Sequence, residues 1–161
     1  DIQFEDKGVG LHFQTSPPLK HAPRDEGLGG DGGGPCQLSV DPGRITQVLL
    51  NLLGNALQYT SEGGQVTVDA WCDAKNLLIA VRDTGIGIKE EDLPHIFERF
   101  YRVDKSRARI SGGSGIGLTI SKHIVQAHRG RIWAESDGLG HGCCVTFSLP
   151  IGSQHVKTAY P

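Results

Sequence analysis

The most strongly patterned stretch of the chain reads Asp41-Pro-Gly-Arg-Ile-Thr-Gln-Val-Leu-Leu-Asn-Leu-Leu-Gly-Asn-Ala-Leu-Gln-Tyr-Thr60. Asp41 followed by Pro42 is typical of a helix N-cap with proline in the first turn. Apolar side chains then recur at helical spacing; these are Ile45, Val48, Leu49, Leu52, Leu53, Ala56 and Leu57. We therefore predict a helix that starts beside Pro42 and buries one apolar stripe.

The predicted helix also carries a polar stripe on its other side. Its members are Gln47, Asn51, Asn55 and Gln58, spaced four, four and three residues apart. Asn51 and Asn55 therefore point in the same direction, one turn apart. From the spacing alone, two interpretations stay open: these amides solvate an exposed face, or they bind a ligand.

Two strands are predicted directly after this helix. Gln65–Cys72 and Asn76–Arg82 are joined by a turn near Asp73, and the second strand ends in Asp83-Thr-Gly-Ile-Gly-Ile88. The strand therefore delivers an aspartate into a glycine turn. Farther along the chain, Arg131–Ser136 and Cys143–Leu149 have the pattern of closing strands.

The residues before the helix also alternate apolar and polar side chains in two places. Gly10–Thr15 and Cys36–Val40 are expected to pair as strands. Between them, Ser16–Pro35 is rich in glycine and proline and poor in apolar side chains. We interpret this stretch as a mobile loop, because it cannot offset its own ordering entropy.

A glycine-rich segment opens a second predicted helix, Ile116–His128. Gly113-Ser-Gly-Ile-Gly117 would present backbone N–H groups to an anion, although this signal is weak by itself. It follows no strand, and the chain has no Gly-Lys-Ser/Thr ending, which disfavours dinucleotide and P-loop folds. Before it, Lys89–Phe100 has the spacing of a helix, and Tyr101–Ser114 is predicted to be a basic, flexible lid.

The composition excludes several classes of protein. The 161 residues, 37% hydrophobic and 21% charged, are ordinary for one soluble domain, and a net charge of −2 gives no attraction to nucleic acid. No apolar run approaches the ~20 residues that cross a bilayer, so we expect no membrane insertion. The four cysteines lack metal-type spacing, which favours reduced thiols in the cytoplasm. The absence of methionine indicates a fragment or processed chain.

Four motifs occur in a recognisable order. They are Asn51–Thr60, Asp83–Gly87, Phe97–Arg102 and Gly113–Leu118. They resemble the N, G1, F and G2 boxes of sensor histidine kinases, and the resemblance runs from about Asp41 to Pro150. It implies a two-layer α/β sandwich of the Bergerat type, with a mixed, mostly antiparallel sheet covered on one face by helices. Residues 1–152 would be the ATP-binding catalytic domain, with a loop at 16–35, an ATP lid at 101–114 and a tail at 153–161.

The resemblance also implies a set of site residues. Asn55 would give a side-chain oxygen to Mg²⁺, and Asn51 would support the same site from one turn earlier. Asp83 would accept a hydrogen bond from the exocyclic amine of adenine, whereas guanine has a carbonyl there. Gly85 and Gly87 would let the chain pass close to the base.

The remaining implied contacts surround the base and the triphosphate. Tyr59 would flank adenine and Thr146 would reach it through water, with a core or surface role as the alternative for either residue. Arg102 would act with Asn55 in catalysis by reaching the γ-phosphate. The other implied ATP contacts are Ile88, Tyr101, Gly113, Ser114, Gly115, Ile116, Gly117 and Leu118.

The chain departs from the family pattern at several positions. Gln58 stands where a lysine is common, and Cys143 and Cys144 replace threonines. None of the seven histidines is followed by the acceptor pattern of the family. The expected partners are therefore a separate dimerisation domain that carries the acceptor histidine and, downstream, a response regulator. The alternatives are a nucleotide-gated switch and a serine kinase of the same superfamily.

Overall fold

The computed structural model describes residues 2–15, 38–101 and 115–151. In these residues one sheet has the strand order β1-β2-β3-β5-β4, with β1 parallel to β2 and the other neighbours antiparallel. The elements in chain order are α1 (Ile2–Asp6), β1 (Gly10–Thr15), α2 (Pro42–Tyr59), β2 (Gln65–Cys72), β3 (Asn76–Asp83), α3 (Gly117–Ala127), β4 (Arg131–Glu135) and β5 (Cys143–Pro150). The predicted mixed, mostly antiparallel sheet is confirmed.

The long helix α2 forms as its sequence predicts. The Asp41 carboxylate accepts a hydrogen bond from the Arg44 N–H at 3.1 Å, and Pro42 occupies the first turn. At the other end, the Thr60 hydroxyl donates to the Ala56 carbonyl at 2.7 Å. The apolar stripe is buried, with Val48 and the residues one and two turns after it in the core.

The helices cover one face of the sheet. Val66, Val81, Phe147 and Leu149 project from three strands into a core shared with α2 and α3. Burying each side chain of this size stabilises the fold by about 1.5–3 kcal/mol. Because side chains alternate along a strand, Thr146 and Ser148, on either side of Phe147 in β5, face the opposite side of the sheet.

Two expectations about elements need correction. Gly10–Thr15 pairs with β2. In its predicted partner strand, Cys36–Val40, the described residues 38–40 are irregular, and the Leu38 and Val40 side chains pack against the core. Lys89–Phe100 forms consecutive turns and no helix, with bonds such as His95 N–H to Asp92 O at 2.9 Å. Pro94 supplies no N–H and disfavours helical geometry in the residue before it.

The expectation of reduced thiols is also corrected at one position. Cys72 is disulfide-bonded, whereas Cys143 and Cys144 are free. The predicted loop at 16–35, most of the predicted lid and the tail at 153–161 lie outside the described residues. Within the described ranges, no helix combines the length and the apolar character needed to cross a membrane.

Candidate nucleotide-binding site

A cavity of about 370 Å³ lies between α2, the turn after β3 and the beginning of α3. It brings together residues from all four motifs, with Tyr101 coming from the F box. The predicted site residues that line it are Asn51, Asn55, Tyr59, Asp83, Gly87, Ile88, Tyr101, Gly115, Gly117 and Leu118. Gly85 and Ile116 belong to the same two turns but do not line the cavity.

Asp83 lies at the end of β3 with 9% of its surface exposed. Its Oδ1 accepts hydrogen bonds from the Gly85 N–H at 2.8 Å and the Cys143 N–H at 3.3 Å. No described residue donates to its Oδ2. Burial raises the pKa of Asp83, and the two N–H donors lower it in part. One carboxylate oxygen thus fixes the turn, and the other is available to a ligand.

The glycines after Asp83 are required by close backbone approaches. A Cβ at Gly85 would lie 2.4 Å from the Tyr59 carbonyl oxygen. Gly87 has φ +72°, and a Cβ there would lie 2.0 Å from the Gly138 carbonyl oxygen. The sequence predicted these glycines as neighbours of a base. In the structure, their first role is in packing: without a Cβ, they let the turn lie in close contact with the end of α2 on one side and with the loop before β5 on the other.

The two asparagines of α2 differ in their surroundings. The Asn51 amide donates to the Gly117 carbonyl at 3.1 Å and to the Ser121 hydroxyl at 3.2 Å, so it ties α2 to the first turn of α3. The Asn55 side chain makes no hydrogen bond with any described residue and lines the cavity. A free amide oxygen fits Mg²⁺, which takes few protein oxygens and keeps waters and phosphate as its other ligands.

The beginning of α3 leaves backbone donors open at the other end of the cavity. The N-cap residue, Ile116, makes no side-chain capping bond. Gly115 precedes it with φ +66°, and Gly117 lines the cavity wall. Unpaired N–H groups and the positive end of the helix dipole suit an anion such as a phosphate. The predicted contacts Arg102, Gly113 and Ser114 lie outside the described residues.

Two tyrosines flank the cavity. Tyr59 is 38% exposed at its rim. The Tyr101 hydroxyl donates to the Asp92 carboxylate at 2.5 Å, and this bond raises the pKa of the Tyr101 phenol. The Tyr101 ring also lies 5.5 Å from the His95 ring. The turns after Gly87 therefore position Tyr101 at the cavity, although they form no helix.

Comparison with known proteins matches this arrangement to one family. A family model described as histidine kinase-, DNA gyrase B-, and HSP90-like ATPase matches residues 40–153, more than half of the chain. The chain belongs to this ATPase family. The sensor histidine kinase WalK of Bacillus subtilis (strain 168) is 50% identical over 115 residues, which are 70% of this chain and 19% of WalK. The chain thus spans less than a quarter of that relative.

Solved structures agree with the family assignment. The catalytic domain of the histidine kinase ThkA has a TM-score of 0.70 and 25% identity, over 93% of this chain and 85% of that chain. Full-length ShkA, solved in complex with AMPPNP, has a TM-score of 0.71 and 27% identity, over 94% of this chain and 27% of that chain. The predicted two-layer fold is thereby confirmed as that of histidine kinase catalytic domains.

For Thr146, the structure favours the alternative role in the core, because it does not place this residue at the cavity. Thr146 alternates with Val145 and Phe147, whose side chains face the cavity and the core, so its own side chain lies on the opposite face. There it is 3% exposed, and in the sheet register it lies between Ala80 and Trp133. It does not line the cavity.

Cys143 lines the cavity, although the sequence analysis did not predict it as a contact residue. Its N–H donates to Asp83. Burial, with a further contribution from the Asp83 carboxylate, raises the pKa of the Cys143 thiol to about 12. The alternation of β5 was the available signal, because Cys143 is in phase with Phe147 and Leu149. The other lining residues that were not predicted are Leu50, Leu52, Gly54, Ala56, Gln58, Val81, Ile86, Ile96 and Val145.

Proposed function

We propose that this chain binds Mg-ATP and transfers the γ-phosphoryl group to a histidine on a separate dimerisation domain, in a cytoplasmic two-component system that ends at a response regulator. One observation carries the proposal. A single cavity joins the open Oδ2 of Asp83 to the free amide of Asn55 and the uncapped beginning of α3. These are the partners that an adenine amine, a hydrated Mg²⁺ and phosphate oxygens require.

Different residues of the chain would bind the adenine end and the phosphate end of ATP. Asp83 Oδ2 accepts a hydrogen bond from the adenine amine, which sets the orientation of the base. Asn55 would hold the metal, and Asn51 holds the beginning of α3 in place through Gly117. Mg²⁺, when bound, offsets triphosphate charge. An acceptor nitrogen attacks the γ-phosphorus, the bond to the β-phosphate oxygen breaks and ADP leaves.

The described histidines do not provide an acceptor at this position. His95 Nδ1 pairs with the Glu98 carboxylate at 2.8 Å, and His128 is bonded through both ring nitrogens. None of the histidines in the described residues lines the cavity. Because transfer requires a nucleophile in line with the leaving oxygen, positioning supplies much of the rate. This geometry supports an acceptor that is brought by another domain.

Phosphoryl transfer is tested with Mg-ATP labelled at the γ-phosphate. The chain alone should acquire no stable label, and it should label a helical dimerisation domain supplied in trans. The matched control is the same domain with its acceptor histidine replaced by glutamine, which should stay unlabelled. Label that survives acid would indicate a serine kinase. Tight ATP binding with no transfer would instead favour a nucleotide-gated switch.

A further inference from the structure

Lys7 lies outside the cavity but is bonded to the helix that forms its wall. Its ammonium donates to the Leu57 carbonyl at 2.5 Å and to the Gln58 carbonyl at 3.1 Å. These carbonyls belong to the last turn of α2, where no later residue of the helix provides an N–H to hydrogen-bond with them. The last turn of α2 contains no basic residue of its own. Lys7 therefore places a cation at the negative end of the helix dipole.

The next carbonyl of the same turn holds the adenine end of the cavity. The Ile86 N–H donates to the Tyr59 carbonyl at 3.2 Å. Ile86 belongs to the glycine turn that begins at Asp83, and Gly85 approaches the same carbonyl closely enough to exclude a side chain. Of three successive carbonyls, the first two therefore accept from Lys7, and the third accepts from the turn at Asp83–Gly87, which we call the adenine turn.

The backbone on both sides of Lys7 is held in place by hydrogen bonds. The helix α1 is followed by a residue in the left-handed conformation, Gly8 with φ +66°, whose N–H donates to Glu5 O at 3.0 Å. The Val9 N–H donates to Phe4 O at 2.9 Å, and both of these apolar side chains are buried. This bond pattern with its apolar pair is a Schellman motif. The Gly8 carbonyl is in turn bonded to the N–H of Gly63, just after α2, at 2.9 Å.

We propose that Lys7 is a positioning residue for nucleotide binding, which fixes the last turn of α2 and, through Tyr59 and Ile86, the turn that carries Asp83. The inference rests on the proposed binding of ATP at this cavity. It makes α1 and the adenine turn parts of one hydrogen-bonded unit. By linkage, ordering of the segment before β1 strengthens nucleotide binding, and nucleotide strengthens the order of that segment equally.

The test compares Lys7→Met with Lys75→Met in the 161-residue chain. Lys75 is an exposed lysine in the turn between β2 and β3, so the two variants lose the same charge. At a temperature where both are folded, Lys7→Met should weaken Mg-ATP binding about tenfold, within the usual range of coupling between sites. Lys7→Arg should restore binding, and Lys75→Met should match the wild type.

Hydrogen exchange of the Ile86 amide in ligand-free protein gives an independent measurement. It should be about tenfold faster in Lys7→Met than in Lys75→Met, because the carbonyl turn that holds it is loosened. Equal exchange rates and equal dissociation constants in the two variants would overturn the proposal, even if Lys7→Met melts earlier. If Lys7→Met does not fold, Lys7→Gln is compared in the same way.

The two proposals fail in distinguishable ways. If the wild-type chain binds no nucleotide, the proposed function fails, and the Ile86 exchange rate still decides whether Lys7 holds the adenine turn. If the wild type binds Mg-ATP and Lys7→Met binds it equally well with unchanged Ile86 exchange, only the positioning role is lost.

Discussion

Asp83 keeps a carboxyl group buried with only neutral N–H groups as its partners. Neither of the ion pairs found in the described part of the chain includes it. Burial raises its pKa, so its charged form is the less favourable one in the folded protein. The carboxyl group that we propose for adenine recognition thus lowers the stability of the free fold at neutral pH.

We predict that Asp83→Asn raises the free energy of unfolding at pH 7 and not at pH 3. An asparagine oxygen can still accept from Gly85 and Cys143, while the buried charge is removed. Because the folded pKa is raised, the wild-type carboxyl stabilises the fold below its unfolded pKa of 3.8, and this contribution is lost as the pH rises through the folded value. Urea unfolding at both pH values measures the difference. A variant less stable than wild type at pH 7 would contradict it.

The same substitution should abolish most of the preference for adenine over guanine. The wild type should bind ATP more tightly than GTP by ~1–3 kcal/mol, the usual cost of a mispaired buried polar edge. Asp83→Asn offers an N–H where the adenine amine requires an acceptor. Competition binding with both nucleotides measures the difference, and equal competition in the wild type would remove Asp83 from base recognition.

The Cys143 thiol should be unreactive in the folded protein. Its pKa of about 12 leaves very little thiolate at pH 8. We predict that iodoacetamide modifies Cys143 about a hundredfold more slowly in the native chain than in urea, as followed by peptide mass spectrometry. Fast native modification that Mg-ATP suppresses would instead show that the thiol is exposed at the cavity.

At the scale of elements, α2 and α3 are joined by polar contacts at both ends. Asn51 bonds to the first turn of α3. At the other end, the Asp41 N–H donates to His128 Nε2 at 3.1 Å, and His128 Nδ1 lies 2.8 Å from the Ile124 carbonyl. Nε2 must accept, so Nδ1 carries the proton and donates. The ring therefore joins the C-terminus of α3 to the N-cap of α2.

The two contacts should separate stability from binding. Asn51→Ala and His128→Ala should each cost about 1 kcal/mol of stability, because each removes hydrogen bonds. Only Asn51→Ala should also weaken Mg-ATP binding, since Asp41 begins α2 about 15 Å of helix away from Asn51. Urea unfolding and calorimetry provide the two measurements. Equal loss of ATP affinity in both variants would show that the whole helix pair, and not one end, sets the cavity.

Elements with strong local signals were predictable from the sequence. The Asp41-Pro42 capping pair and the helical spacing of apolar side chains predicted α2. The alternation of apolar and polar side chains predicted β2 and β5. The parallel pairing of β1 with Gln65–Cys72 was missed, because paired residues lie 55 positions apart in the chain and no local pattern specifies the pairing. Pro94 was the sequence feature that argued against a helix at Lys89–Phe100, because proline lacks an N–H and restricts the residue before it.

The candidate site was predictable where motifs touch the cavity directly. The order of the motifs predicted Asn55, Asp83, Gly87, Gly115 and Gly117, all of which line the cavity. Gly85 was predicted in the same way but does not line it. The strand phase of Thr146 was overlooked, and Lys7 could not be found, because its partners are backbone carbonyls of a distant helix end. Backbone acceptors leave no trace in the identity of the residues that carry them.

For the whole molecule, ATP and Mg²⁺ should act together as one stabilising ligand. The cavity is formed by α2, the turn after β3 and the beginning of α3, so unfolding any of them abolishes binding. Mg-ATP at a hundred times its dissociation constant should therefore stabilise the fold by about 2.7 kcal/mol. Removing Mg²⁺ with EDTA should leave a smaller effect of ATP, because the metal no longer joins the phosphates to Asn55.

Asn55→Ala separates the metal from the rest of the ligand. The position is off the apolar stripe and alanine favours helix, so the free variant should unfold at the wild-type urea concentration or slightly above it. Its stabilisation by ATP should be weak and nearly the same with Mg²⁺ as with EDTA, whereas stabilisation by adenosine should equal that of the wild type, since Asp83 and the adenine end are unchanged. Thermal melting with each ligand provides the comparison. If the variant responds to Mg²⁺ as strongly as the wild type, another oxygen holds the metal, and the assignment of Asn55 is wrong even though ATP still binds.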